Sequence, residues 1–138
     1  MQNVEIYTDG ACIGNPGPGG WAAILISGEH KKEISGGHTH TTNNEMELMA
    51  IIEALEALKY AENPALALIY TDSTFAINAV TGKFKLKKPQ IIDLVNYINE
   101  TAKTKNYNLK FRHVKGHNGD PLNERADKLA SQAAERSK

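Results

Sequence analysis

The chain has 138 residues, 41% of them hydrophobic and 23% charged, with 16 Lys+Arg matched by 16 Asp+Glu. That length suits one domain spanning 1–138 with a real core, and the apolar runs are too short to cross a bilayer. A protein that grips nucleic acid by bulk charge usually shows a basic excess, which is missing here, but zero net charge does not exclude an enzyme whose metal-binding carboxylates offset its phosphate-binding lysines.

In chain order, MQNVEIYTDG lacks the basic start and apolar stretch of a secretory signal. Residues 3–9 set Val4, Ile6 and Thr8 against Glu5, Tyr7 and Asp9, the alternation of a strand. Cys12, the one cysteine, has no internal disulfide partner, which suits a reducing cytoplasm. Residues 14–20, GNPGPGG, predict a long turn. Strands follow over Trp21–Ile26 and about Lys31–His38, giving an antiparallel meander. From Asn44 the spacing of Leu48, Ile51, Ile52, Leu55 and Leu58 is helical, with Asn43 or Asn44 as N-cap and a stop near Asn63-Pro64. Ala65–Thr71 predicts a buried strand, Ser73–Val80 a short helix, Gly82–Lys88 a loop and Pro89–Lys103 a longer helix. Asn108–Val114 is a fifth strand, followed by the loop Lys115-Gly116-His117-Asn118-Gly119. Asp120 caps a last helix with Pro121 in its first position. The order βββ-α-β-α-α-β-α implies an α/β fold: a five-stranded mixed sheet, three antiparallel strands then parallel ones, flanked by helices.

Four acids occupy places that solvated acids avoid. Asp9 ends a central strand, and Asp72 follows the apolar run Leu66–Thr71. Glu47 shares a helix line with Ile51, Ala54 and Leu58. Asp127 shares one with Asn123, Glu124, Ala130 and Ser131. Singly, each has a bland alternative as a cap, turn or surface acid, and Ser73 beside Asp72 leaves capping open. Together they repel one another unless a cation joins them, and divalent ions with oxygen ligands do so.

The blocks TDGACIGNPGPGGW, TTNNEMELMA, IYTDS and VKGHNGDPLNERADKLA resemble the signature of type 1 ribonuclease H, in that family's order and across nearly the whole chain. The resemblance implies the ribonuclease H-like fold and cleavage of the RNA strand of RNA–DNA hybrids to 5′-phosphate and 3′-hydroxyl ends. It implies two Mg²⁺ or Mn²⁺ ions held by Asp9, Glu47, Asp72 and Asp127. His117 matches a loop histidine that assists proton movement or product departure, and Glu124 an acid that tunes the site. Asn15, Asn43 and Asn44 match residues touching the hybrid's minor groove, Gly10 and Cys12 positions near the RNA backbone, and Thr42 part of a pocket for a DNA-strand phosphate. Amides suit 2′-hydroxyls because both donate and accept.

The chain departs from many relatives in the short segment 81–89, where they carry a basic, tryptophan-rich protrusion. The departure leaves Lys83, Lys85, Lys87 and Lys88 as the one basic cluster, and the aromatic that packs the DNA sugar is either missing or replaced by Phe84. His40 stands where relatives often have arginine, and no hybrid-binding domain is expected before Met1. The expected protein is a cytoplasmic monomer without a membrane segment. The alternatives are another nuclease of the same fold, such as an integrase or resolvase, and a catalytically weak hybrid-binding module. An actin-like ATPase would need phosphate loops that this sequence lacks.

Overall fold

The computed structural model describes residues 3–115 and 120–138. Its elements run β1 (Val4–Cys12), β2 (Gly17–Ser27), β3 (His30–Thr41), α1 (Asn43–Ala57), β4 (Ala65–Thr71), α2 (Thr74–Thr81), α3 (Pro89–Thr104), β5 (Tyr107–His113) and α4 (Pro121–Arg136). The five strands form one sheet in the order β3-β2-β1-β4-β5. β1 pairs antiparallel with β2 and parallel with β4, and β4 pairs parallel with β5. The expected mixed sheet is therefore present, with β1 at its centre.

Two faces make two cores. Val4 and Ile6 of β1, Ala67 and Ile69 of β4 and Leu48, Ile51 and Leu55 of α1 pack together with Ile98 of α3. α4 covers the other face over β1, β2 and β3. β4 is consequently not buried on both sides, as its apolar run suggested: Ala65, Ala67, Ile69 and Thr71 are buried, whereas Leu66, Leu68 and Tyr70 are half-exposed. The α4 helix does not reach that far along the sheet.

The strands β1 to β3 are longer than their alternation indicates, and the expected turn 14–20 shrinks to residues 13–16. Glycines continue β2 because neighbours press on it. A Cβ at Gly20 would lie 2.3 Å from the Ala130 carbonyl oxygen, so α4 seats directly on this strand. The cap of α1 is also corrected. Thr42, not Asn43 or Asn44, is the N-cap: its Oγ1 accepts from Glu45 N at 3.2 Å and donates to Glu45 Oε1 at 3.1 Å. The hydroxyl caps the Glu45 amide and is itself held by the Glu45 carboxylate, a hold on its orientation that Asn43 and Asn44 lack.

α1 stops at Ala57, well before Asn63-Pro64. Lys105 Nζ donates to the carbonyls of Leu55, Glu56 and Leu58 at 3.0, 2.9 and 2.7 Å. One ammonium thus satisfies carbonyls at a helix end whose own last turn carries no basic residue. Lys105→Met should lower stability by about 1–3 kcal/mol, because the carbonyls lose a charged donor. Urea unfolding measures this, and an unchanged midpoint would mean that water serves those carbonyls equally well.

Candidate metal centre

Asp9 enters from β1, opposite Ala22 of β2, and is 3% exposed. The next residue explains its neighbour. A Cβ at Gly10 would lie 2.5 Å from Glu47 N and 2.6 Å from Met46 C. Only glycine lets α1 approach β1 this closely, and the approach brings the Glu47 carboxylate to Asp9. Asp72 follows the last residue of β4, where Thr71 Oγ1 accepts from Ser73 N at 3.1 Å. The cap of α2 is Ser73, whose Oγ accepts from Ala76 N at 3.0 Å, so capping is not the duty of Asp72.

Ligand oxygens of Asp9, Glu47 and Asp72 all lie within 4.8 Å of one another. Two unit charges at about 4 Å repel by roughly 4 kcal/mol at an effective dielectric constant near 20. Burial, then the Asp72 charge, pushes the Asp9 carboxyl from 3.8 up to about 8, against a 2.9 Å bond from Gly10 N that favours the anion. Burial, then the charges of Asp9 and Asp72, pushes Glu47 well above the carboxylate range. Glu47 Oε1 is buried without a hydrogen-bond partner. Oxygen ligands, crowding and an unpartnered buried oxygen together fit a hard divalent cation such as Mg²⁺.

Asp127 lies on α4, half-buried at the margin of a stripe formed by Asn123, Ala126, Ala130, Ala133 and Ala134. That stripe differs from the expected line, since Glu124 and Ser131 are exposed. Asp127 stands outside the three-residue cluster, yet its charge and a hydrogen bond between the two carboxyls contribute to the raised pKa of Asp9. Glu124 sits in the first turn of the same helix. His117 lies outside the described residues.

Four of the six expected substrate residues gather at the α1 N-terminus, whereas Gly10 packs against Glu47. Asn15 Oδ1 accepts from Asn43 N at 2.9 Å, tying the β1–β2 turn to the helix. Asn15, Thr42, Asn43 and Asn44 line one wall of a groove of about 740 Å³, and Phe75, Phe84, Lys85, Lys87 and Lys88 line it as well. Lys83 is exposed but not among the groove's lining residues. Cys12 turns its thiol to the carbonyls of Gly17 and Thr41, at 3.5 and 3.3 Å. A larger groove, about 900 Å³, opens beside Val4, Ser27 and Tyr107 and contains none of the clustered acids. Volume alone does not mark the chemistry here.

Sequence patterns do not single out His113. Its Nε2 is 3.3 Å from the Asp72 carbonyl oxygen, and Val114 N donates to Thr71 O at 3.0 Å. The end of β5 thus holds the backbone that carries Asp72. No local pattern announces this interaction, which crosses 41 residues.

A family model described as RNase H matches residues 1–135. The ribonuclease H of Cupriavidus metallidurans is 48% identical over 142 residues, covering 95% of this chain and 94% of that protein. The ribonuclease H1 of Halobacterium salinarum superposes with a TM-score of 0.78 at 31% identity, over 97% of this chain and 98% of that one. The N-terminal ribonuclease H domain of a Mycobacterium tuberculosis protein gives 0.86 at 25%, over 99% and 96%. LC11-RNase H1, solved in complex with an RNA/DNA hybrid, gives 0.80 at 28%, over 98% and 99%.

The raised pKa of Asp9 sets a pH dependence for the metal-free protein. The folded carboxyl keeps its proton up to about pH 8, while the unfolded one loses it near 3.8. Stability from this group is full below the unfolded value and is lost as pH rises through the folded value. In chelator, Asp9→Asn should therefore be more stable than wild type by about 1–3 kcal/mol at neutral pH, the difference vanishing near pH 4. Urea unfolding at both pH values checks it; a variant no more stable at neutral pH would contradict it.

Proposed function

Because the chain belongs to the ribonuclease H family, in its type 1 branch, we propose that this ribonuclease H hydrolyses the RNA strand of RNA–DNA hybrids at the Asp9–Glu47–Asp72 cluster. The supporting observation is the crowding of those three carboxylates, one of which keeps a buried oxygen, Glu47 Oε1, without a partner. Asp9, Glu47 and Asp72 would hold magnesium, or manganese in its place, with Asp127 as a fourth ligand for a pair of ions. The chemistry such ions supply when bound is activation of a water and charge neutralisation at the scissile phosphate, giving 5′-phosphate and 3′-hydroxyl ends. Gly10 keeps Glu47 against Asp9, and His113 and Val114 hold the Asp72 segment. His117 would assist proton movement, and Glu124 would tune the site from α4.

Substrate choice is assigned to Gly10, Cys12, Asn15, Thr42, Asn43 and Asn44 along the RNA and its minor groove. The groove beside them suits the DNA strand. Phe84, 40% exposed, packs on Phe75 with ring centroids 5.7 Å apart. It would offer a flat surface to a sugar, with Lys85, Lys87 and Lys88 near the phosphates. The described helices include none long and apolar enough to cross a membrane. The proposed setting is the cytoplasm and the proposed state a monomer. The intact acids count against a hybrid-binding module without chemistry.

The test incubates the protein with end-labelled hybrid, duplex DNA and duplex RNA, with Mg²⁺ or with chelator, and maps the ends. Only the RNA of the hybrid should be cut, and only with the metal. Asp72→Asn should lose about three orders of magnitude or more, an effect worth over ~4 kcal/mol. Cutting in chelator, or near-normal turnover of the variant, would end the metal reading.

The lysines make a separate prediction. Replacing Lys83, Lys85, Lys87 and Lys88 with alanine should raise KM and leave kcat little changed. The dependence of log affinity on log salt should become shallower, by about 0.9 for each phosphate no longer neutralised, a value borrowed from duplex DNA. A KCl titration of hybrid cleavage checks it, and identical slopes would show that these lysines do not touch the substrate.

A further inference from the structure

α4 brings Asp127 to the site, and its seat on the sheet is smooth. Its buried residues are Asn123 and four alanines. A Cβ at Gly20 would lie 2.3 Å from the Ala130 carbonyl oxygen, and one at Gly37 would lie 3.1 Å from that of Ala133. Small side chains allow this closeness but interdigitate little. They set the distance between helix and sheet better than the roll of the helix about its own axis.

Among the described residues, the ion pair joining α4 to the sheet is Arg125 with Glu33 of β3. Arg125 Nε donates to Glu33 Oε2 at 2.9 Å, and Nη2 donates to Oε1 at 3.0 Å. A planar fork on both oxygens fixes orientation as well as distance. Arg125 and Asp127 are two residues apart, about 200° around the helix, so they lie on opposite flanks. A roll of roughly 10°, at a side-chain radius of about 5–6 Å, moves a carboxylate by about 1 Å. Misplacement on that scale is costly at a reacting centre.

We infer that Glu33 and Arg125 are positioning residues that hold α4 at the roll presenting Asp127 to Asp9. The inference rests on the proposed reading of Asp127 as a metal ligand. Neither residue belongs to the acidic cluster, and Glu33 lies on the edge strand.

The test reads metal binding without substrate. Thermal midpoints of wild type, Glu33→Gln, Arg125→Lys and the reversed pair Glu33→Arg/Arg125→Glu are followed through a MgCl₂ titration. Arg125→Lys keeps the charge and loses the fork, so it separates orientation from attraction. Wild type should be stabilised by magnesium. Each single variant should need about threefold to tenfold more magnesium for the same rise, less than the roughly 10- to 100-fold lost when a group bonded directly to a ligand is removed. Metal-free midpoints should stay near wild type, since exposed pairs add little to stability. The reversed pair should regain most of the wild-type requirement. Single variants with a wild-type requirement, or a reversed pair no better than they are, would overturn the positioning role. No magnesium response in wild type would instead refute the metal reading on which the role rests.

Discussion

Mutual repulsion among Asp9, Glu47 and Asp72, enforced by backbone packing, is the constraint on which the rest of the site depends. Exposed acids could turn away from one another, but backbone packing keeps Asp9 and Glu47 together. Asp9 is fixed in the central strand of the sheet, and Glu47 is carried by a helix whose backbone touches Gly10. The cost falls on the metal-free state as partial protonation and as a buried oxygen without a partner. A cation of suitable size would remove both at once, and the packing that crowds the acids would then become affinity for the ion.

The two faces of the sheet divide the work. α1 is anchored at both ends, by the Thr42 cap held by Glu45 at its start and by Lys105 at its finish. Its first turns serve two purposes, because Glu47 faces the acids while Asn43 and Asn44 line the neighbouring groove. α4 works from the opposite face. Its alanines and the glycines beneath it bring the backbones close, and Arg125 supplies the directional interaction that such a surface lacks. The two helices thus place acids around Asp9 by different means, one by close backbone approach and one by a charged latch.

Much of this is legible in the sequence. Alternation marks β1, and the Asp120-Pro121 pair marks the start of α4, because local rules govern both. The order of strands and helices is enough for the mixed sheet. The four acids stand out because each sits where an apolar residue or a cap is expected. What cannot be read depends on partners distant in the chain. Gly19 and Gly20 look like turn residues until α1 and α4 are seen pressing on them. Lys105 gives no hint that it ends α1 some 50 residues upstream. Arg125 and Glu33 are separated by 92 positions, and either alone reads as an ordinary surface charge. The N-cap falls one or two residues before the expected position because Asn43 and Asn44 are good caps in isolation, whereas Thr42 gains from Glu45 as well.

Proton release on metal binding tests the central claim most directly. Magnesium added to the protein near neutral pH, with calorimetry repeated in buffers of different ionisation enthalpy, counts the protons displaced. With the Asp9 carboxyl raised to about 8 and Glu47 raised alongside it, binding should release about one proton or more per site, and the release should fall away above that pH. Tight binding with no proton released near neutral pH would contradict the account, because the acids would then already be charged and unstrained before the ion arrived.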